Sequence, residues 1–299
     1  MKKALLALIF GTLAIALAVV IGPPNYMAVT GAWLIGPSEC PLGELLREVK
    51  ANQAALSMAE PRLERAEAKL DLWDTPQGKI WTVHGDAILG FLMYEQVRDI
   101  YELPGHEIRK GDIVLDVGAN IGMFTRTALA RGASLVVAIE PAPQTLNAFR
   151  RNLEKEIQAG RVVVFPKGAW DHDTELDLSV HVTNQAANSL VLPREVPGPA
   201  VRVSLTTIDK IVAELKLPRV DFIKMDIEGA EKPAIKGAQN TIRRFHPRMS
   251  LSTEHLADDF AAIPALIHSI EPSYAHTGCD CVVGHKRFTA LVMAFDSAS

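Results

Sequence analysis

The segment Val114-Leu115-Asp116-Val117-Gly118-Ala119-Asn120-Ile121-Gly122 limits the fold of this chain more than any other stretch. An apolar run ends in Asp-x-Gly, a glycine-bearing turn follows, and Ile121 to Arg131 then reads as a helix. A strand apolar on both faces belongs in a parallel sheet covered on both sides. The same alternation continues along the chain. Strands are expected at Asp112–Val117, Leu135–Ile139, Arg161–Phe165, Val220–Met225 and Met249–Thr253. Helices are expected at Gln144–Gln158, from Glu231 onward, and at Asp258–Ile270. Glu175–Val180 and Ala200–Leu205 read as antiparallel strands, and Ser273–Val283 with Phe288–Phe295 as a closing hairpin. The pattern predicts an α/β fold, a doubly wound sheet with one antiparallel strand. A strand at Lys79–Val83 and a helix at Asp86–Tyr101 precede it.

In such a sheet, ligands bind at the carboxyl ends of strands where the strand order reverses. A dinucleotide cradle needs glycines in the pattern G-x-G-x-x-G. Counted from Gly118, those positions hold Asn120 and Met123; counted from Gly122, they hold Phe124 and Thr127. The pyrophosphate cradle is therefore absent. Asp116 suits a cationic ligand better than a phosphate and can pair with an amino group. Glu140, in Ile139-Glu140-Pro141, lies 24 residues beyond Asp116 and can accept hydrogen bonds from ribose hydroxyls. Ala169 and Trp170, after the third strand, suit an adenine face. Gly118, Ala119, Asn120, Gly122 and Pro141 complete the candidate set around this ligand.

Three stretches together resemble the FkbM family of methyltransferases. They are Asp112 to Gly122, Ala138-Ile139-Glu140-Pro141, and Asp221-Phe222-Ile223-Lys224-Met225-Asp226-Ile227-Glu228-Gly229-Ala230-Glu231. The resemblance spans about residues 74–295. It implies a class I methyltransferase (Rossmann-like) fold, S-adenosyl-L-methionine as cofactor, and O-methylation of a hydroxyl on a glycan, a lipid-linked sugar or a secondary metabolite. A non-catalytic binding module of the same fold is the alternative. Intact Asp116, Gly118, Glu140 and Asp226 favour the enzyme.

A hydroxyl acceptor makes a base useful. Asp226, Glu228 and Glu231 cluster beyond the fourth strand, and Asp226 shares a strand face with Lys224. Asp226 is the first candidate as base or acceptor-orienting group. Glu228 and His255 are further catalytic candidates, and His172 is a weaker one. Glu231 reads as a helix N-terminal charge. Asp226 and Glu254 could share a divalent cation, but no third ligand is evident in the sequence, so no metal site is assigned. His276, Cys279, Cys281 and His285 carry zinc-ligand chemistry at an uncommon spacing, and read as an exposed hairpin tip.

The N-terminal quarter differs in texture. Ala4 to Ile21 is an uncharged stretch of 18 residues, ~27 Å as a helix and close to the membrane's hydrocarbon thickness. It predicts a membrane anchor within residues 1–36. Lys2 and Lys3 would hold the N-terminus inside and send the remainder outside, whereas a cytoplasmic donor favours a catalytic domain on the cytoplasmic face. A break at Gly22-Pro23-Pro24-Asn25 followed by apolar Tyr26–Ile35 would let both ends lie on one side. Residues 37–75 read as a helical spacer, because Leu42, Val49, Leu56, Leu63 and Leu70 recur every seven residues. That spacing allows self-association through residues 42–73, and leaves residues 76–299 as the catalytic domain. A net charge of −4 argues against a nucleic-acid partner. Three cysteines do not make a disulfide framework.

Overall fold

The computed structural model describes Gly43 and residues 59–103, 105–181, 183–192, 199–283 and 288–297. Its centre is a seven-stranded sheet built on the strands the sequence pattern marks. These are β4 (Ile113–Val117), β5 (Leu135–Ile139), β6 (Val162–Phe165), β10 (Phe222–Met225), β11 (Arg248–Ser252), β12 (Tyr274–Val283) and β13 (Phe288–Ser297). Their order across the sheet is β12-β13-β11-β10-β4-β5-β6. β13 runs antiparallel to both its neighbours, and the β10-β4-β5-β6 and β10-β11 ladders are parallel. The chain leaves β4 toward β5 on one side and returns to place β10 on the other. The strand order therefore reverses between β4 and β10.

Period-two alternation puts the two faces of β4 into two cores. Leu115 and Val117 join Ile139, Ile223, Met225 and Leu251 on one face. Val114 joins Val136, Phe124, Phe149 and Phe222 on the other. Helices α2 (Met123–Arg131), α3 (Pro143–Asn152) and α4 (Glu154–Gln158) accompany β4–β6, while α5 (Ile208–Glu214), α6 (Glu231–Lys236), α7 (Gln239–Phe245) and α8 (Asp259–Ile270) accompany the later strands. The expected helix Gln144–Gln158 is broken at Leu153, which leaves helical geometry and buries its side chain. A second small sheet, β7 (Gly168–Ala169), β9 (Ala200–Thr206) and β8 (Thr174–Ser179), lies beyond β6. β8 and β9 are antiparallel, as their alternation predicts.

The helical-spacer reading fails over its last part. Arg62–Ala66 (β1), Leu70–Thr75 (β2) and Gly78–Val83 (β3) form an antiparallel sheet. The seven-residue recurrence of Leu63 and Leu70 is accidental here. The deciding pattern is the hairpin, in which Leu70 to Thr75 pairs with Gly78 to Val83 around Pro76-Gln77. Gly78 sits at φ 94, a backbone region that a turn glycine reaches cheaply. A boundary at 75/76 would cut through this sheet. Asn152 fastens the sheet to the main domain: its side chain accepts from the Trp81 amide (2.7 Å) and donates to the carbonyls of Trp81 (2.9 Å) and Ile121 (2.8 Å). Helix α1 (Leu89–Arg98) follows and buries Leu89, Leu92 and Met93 against β3 and the start of α2. The earlier part of the proposed spacer, including the self-association seam before Ala59, and the proposed anchor lie outside the described residues. Among the described residues, no helix is long and apolar enough to cross a membrane.

Candidate active site

A cavity of about 1090 Å³, mouth included, lies over the point where the strand order reverses. Tips of β4, β5, β10 and β11 line it, together with α1 and the segment from Gln185 to Leu190. Its two ends have different chemistry.

At one end stands Glu140. Its Oε2 accepts from the Asn120 amide (3.0 Å) and its Oε1 from the Ala142 amide (2.8 Å). Asn120 reaches its position at φ 49, and its own side chain accepts from the Ile121 amide (2.6 Å). The turn after β4 thus aims a backbone N–H at the acid after β5. Burial pushes Glu140 up to about 7, against those two amide hydrogen bonds. Gly118, Ala119, Asn120, Ile139, Pro141, Gly168 and Ala169 line the same end. Gly118 sits at φ 82, and a Cβ there would fall 2.0 Å from the Asp226 carbonyl oxygen. Its need for glycine comes from the neighbouring chain as much as from any ligand.

Three predicted site residues lie elsewhere. Asp116 is fully buried and does not line the cavity. It accepts from Thr125 Oγ1 (2.6 Å) and lies 3.4 Å from Lys224 Nζ. Its carboxylate is thus met by Thr125 and Lys224 inside the fold. Gly122, at φ 93, faces Phe149 and Leu153, where a Cβ would come within 3.0 Å of either side chain. Trp170 packs behind the cavity against the cluster of Leu178, Val203 and Leu205. The sequence placed it by adjacency to Ala169, but successive residues on an extended segment face opposite ways.

At the other end, β10 and β11 deliver Lys224, Asp226, Glu228, Glu254 and His255. Lys224 donates to the Gly118 carbonyl (2.7 Å) and lies over the Tyr101 ring (5.2 Å). Tyr101 donates its phenolic hydrogen to Asp226 Oδ2 (2.5 Å). His255 Nε2 lies 3.5 Å from Asp226 Oδ1 and 3.6 Å from Glu228 Oε1. Its Nδ1 is 3.0 Å from Glu231 Oε1, which also accepts from the Ile227 amide (2.9 Å). Glu231 opens α6, as its reading as a helix N-terminal charge expects, and is at the same time buried inside the cluster. Glu228 at φ 54 and Gly229 at φ 95 make the tight turn that folds Glu228 back beside Asp226.

The electrostatics separate these groups. Burial alone would lower His255, but its contacts with Glu228 and Glu231 and the charge of Asp226 raise it to about 12. Asp226 is held below its ordinary value: burial opposes this, while Lys224, His255, Tyr101 and Ser252 outweigh it. Burial and the nearby acids push Glu254 up to about 7. Glu95 on α1 is raised to about 8 by burial and by Asp226. Glu95 and Tyr101 are absent from the sequence-derived set. Neither carries a motif, and only the packing of α1 and of the residues after it brings them here.

His172 is exposed and pairs with Asp171 (2.5 Å), away from the cavity. Cys279 is buried in the main core on β12, not at an exposed hairpin tip. Cys281 and His285 carry no described side chains.

Residues 116–276, just over half of the chain, match the family model of the methyltransferase FkbM domain. The chain belongs to the FkbM methyltransferase family. The 31-O-demethyl-FK506 methyltransferase FkbM of Streptomyces tacrolimicus is 28% identical over 163 residues, covering 46% of this chain and 63% of that protein. The hexuronic acid methyltransferase AglP of Haloferax volcanii is 25% identical over 146 residues, covering 49% of this chain and 58% of that protein. This FkbM-family chain therefore spans less than two thirds of either relative. A solved FkbM methyltransferase from Methylobacillus flagellatus aligns at a TM-score of 0.47 with 20% identity, covering 85% of this chain and 60% of that one. The class I methyltransferase sheet is read from the strand order itself.

Proposed function

We propose that this FkbM-family chain is an S-adenosyl-L-methionine-dependent methyltransferase that transfers a methyl group to a hydroxyl on a glycan, a lipid-linked sugar or a secondary metabolite. The observation that carries the reading is one continuous cavity with a backbone-oriented carboxylate, Glu140, at one end and the Asp226–His255 cluster at the other.

The residues fit the donor. Both Glu140 oxygens are already oriented by amides, and their remaining lone pairs can accept from two ribose hydroxyls. Ile139, Pro141 and Ala169 offer the flat apolar wall an adenine needs. Lys224, held by Asp116 and the Gly118 carbonyl, provides a fixed positive charge for the carboxylate of the methionine portion. When bound, the donor supplies a methyl group on a positively charged sulfur that departs as a neutral thioether.

The chain's own work is alignment and proton handling. Asp226 is the acceptor-orienting group rather than the base, since its low proton affinity makes it a weak one. His255 holds both ring protons at neutral pH, so it fixes the carboxylates and does not take a proton. Glu95, raised to about 8, is the carboxylate suited to receive the hydroxyl proton. AglP is named for a hexuronic acid and FkbM for a 31-O-demethyl compound, and both names support a hydroxylated acceptor here. The uncharged stretch Ala4–Ile21 supports a membrane tether, which would favour acceptors at a lipid surface.

Mass spectrometry of membrane glycans, lipids and secreted metabolites, with and without the protein, tests the reading. The expected result is an acceptor heavier by roughly 14 daltons, the mass of the CH₂ gained. An unchanged profile, together with no methyl transfer by purified protein to any hydroxylated fraction of that extract, would contradict it.

A further inference from the structure

We propose that Asp226, Glu228 and His255 form a divalent-cation site that binds the acceptor's hydroxyl oxygen. The inference rests on the methyl-transfer reading for its purpose, but not for its geometry.

Asp226, Glu228 and His255 each offer one ligand atom, and these atoms lie within 4.8 Å of one another. The gaps from His255 Nε2 to the two carboxylates, 3.5 and 3.6 Å, are long for charge-assisted hydrogen bonds, which run ~2.7–2.9 Å. They come close to the edge of a coordination shell, since ligands ~2.1 Å from one ion stand roughly 3.0–3.4 Å apart. The remaining contraction at these two gaps is a few tenths of an ångström, within reach of side-chain rotation.

The support for His255 is that of a metal ligand. Its Nδ1 is bound to the fully buried Glu231, which turns Nε2 toward Asp226 and Glu228. A carboxylate behind the imidazole is the usual way a ligating histidine is oriented, and an ion binding at Nε2 would displace the proton held there. A second observation is independent of that contact. Glu231 Oε2 is buried without a hydrogen-bond partner, so that half of its carboxylate is unsatisfied. Asp226, Glu228 and Glu231 stand here against two cations, His255 and Lys224, and Lys224 is already shared with Asp116. A divalent ion would correct the imbalance. The sequence suggested Asp226 with Glu254 and found no third ligand. The turn at Glu228-Gly229 supplies a different trio.

Two carboxylates and one imidazole, with the other positions open to the cavity, suit a first-row ion such as Mn²⁺ better than Ca²⁺. The ion lowers the proton affinity of a hydroxyl bound to it. The acceptor O–H bond then breaks, its proton passing to the Glu95 carboxylate. The oxygen's electron pair forms the new O–CH₃ bond. The C–S bond breaks with its pair going to sulfur, which becomes neutral.

The test is titration of the metal-stripped full chain with Mn²⁺, followed by the loss of the free-ion electron paramagnetic resonance signal, with binding of S-adenosylhomocysteine measured in parallel by calorimetry. The expected result is one Mn²⁺ per chain, with at least tenfold weaker binding in His255→Ala and in Glu228→Gln, and a smaller weakening in Glu231→Gln. The S-adenosylhomocysteine affinity of these variants serves as the check that they are folded. Wild-type protein that binds S-adenosylhomocysteine but takes up no Mn²⁺ overturns the metal site and leaves the methyl-transfer reading standing. So does Mn²⁺ uptake unchanged in folded His255→Ala and Glu228→Gln. Mn²⁺ uptake at this trio without any S-adenosylhomocysteine binding keeps the metal site and overturns the methyl-transfer reading.

Discussion

The two ends of the cavity hold their carboxylates by different means. Glu140 is fixed by backbone amides from Asn120 and Ala142, so its position follows from local turns. Asp226, Glu228 and Glu231 are held by Tyr101, His255 and one another, so their positions depend on contacts spanning up to 125 residues of chain. A backbone-held acid is rigid and suits a ligand that never varies. A side-chain-held cluster can be altered residue by residue without moving a strand, which suits the variable partner. The contrast predicts that substitutions at the first end change donor affinity, and at the second end change turnover.

The largest effect is expected where the two ends share a support. Lys224→Met keeps the side chain's length but leaves Asp116 buried without its cation, which costs about 3–5 kcal/mol. Thermal and urea unfolding would show it, and a loss under 1 kcal/mol would mean that Lys224 does not hold the two ends together. Gly118→Ala comes next. A Cβ 2.0 Å from the Asp226 carbonyl, at φ 82, forces the β4 and β10 tips apart, with an expected cost of about 3 kcal/mol and lost donor binding. Unaltered stability in that variant would contradict the crowding.

Glu140→Ala separates the ends most sharply. Removing two charge-assisted acceptors should weaken S-adenosylhomocysteine binding by ~100-fold. His255→Gln should instead lower turnover by ~100-fold or more, with donor affinity moving less than ~3-fold. Equal effects of the two variants on donor affinity would erase the distinction.

A smaller effect concerns pH. Glu140 rises to about 7 in the folded protein from an ordinary value near 4.5. The folded state then holds the proton more tightly than the unfolded state does. Its contribution to stability is complete below about 4.5 and is lost as pH rises through about 7. Glu140→Gln should therefore flatten part of the fall in melting temperature between pH 5 and pH 8, measured without donor. An unchanged slope would show that this acid is not buried as described. Smallest of all is Trp170→Phe, which should leave donor affinity within ~3-fold because the ring packs behind the cavity.

The same contrast explains what the sequence could disclose. The strands at 113–117, 135–139 and 222–225 are short apolar runs with turn residues after them, and local pattern decides them. Glu140 was legible because its place depends only on the end of β5. Asp116 stands out in the sequence as an acid in an apolar strand, but nothing local reveals that Lys224, on the neighbouring strand, lies 3.4 Å from it. Glu95 and Tyr101 do not stand out in the sequence for the same reason: their place at the cavity arises from the long-range packing of α1 and of the residues after it. Over the strands within residues 62–75, two leucines seven apart mimic a helical seam, whereas the pairing around Pro76-Gln77 makes a hairpin.

Calorimetric titration of S-adenosylhomocysteine into the full chain and into Glu140→Ala tests the central claim most directly. One site per chain, weakened ~100-fold by the substitution, is the predicted result. No heat of binding to the wild-type protein, or an affinity that Glu140→Ala leaves untouched, would contradict the account.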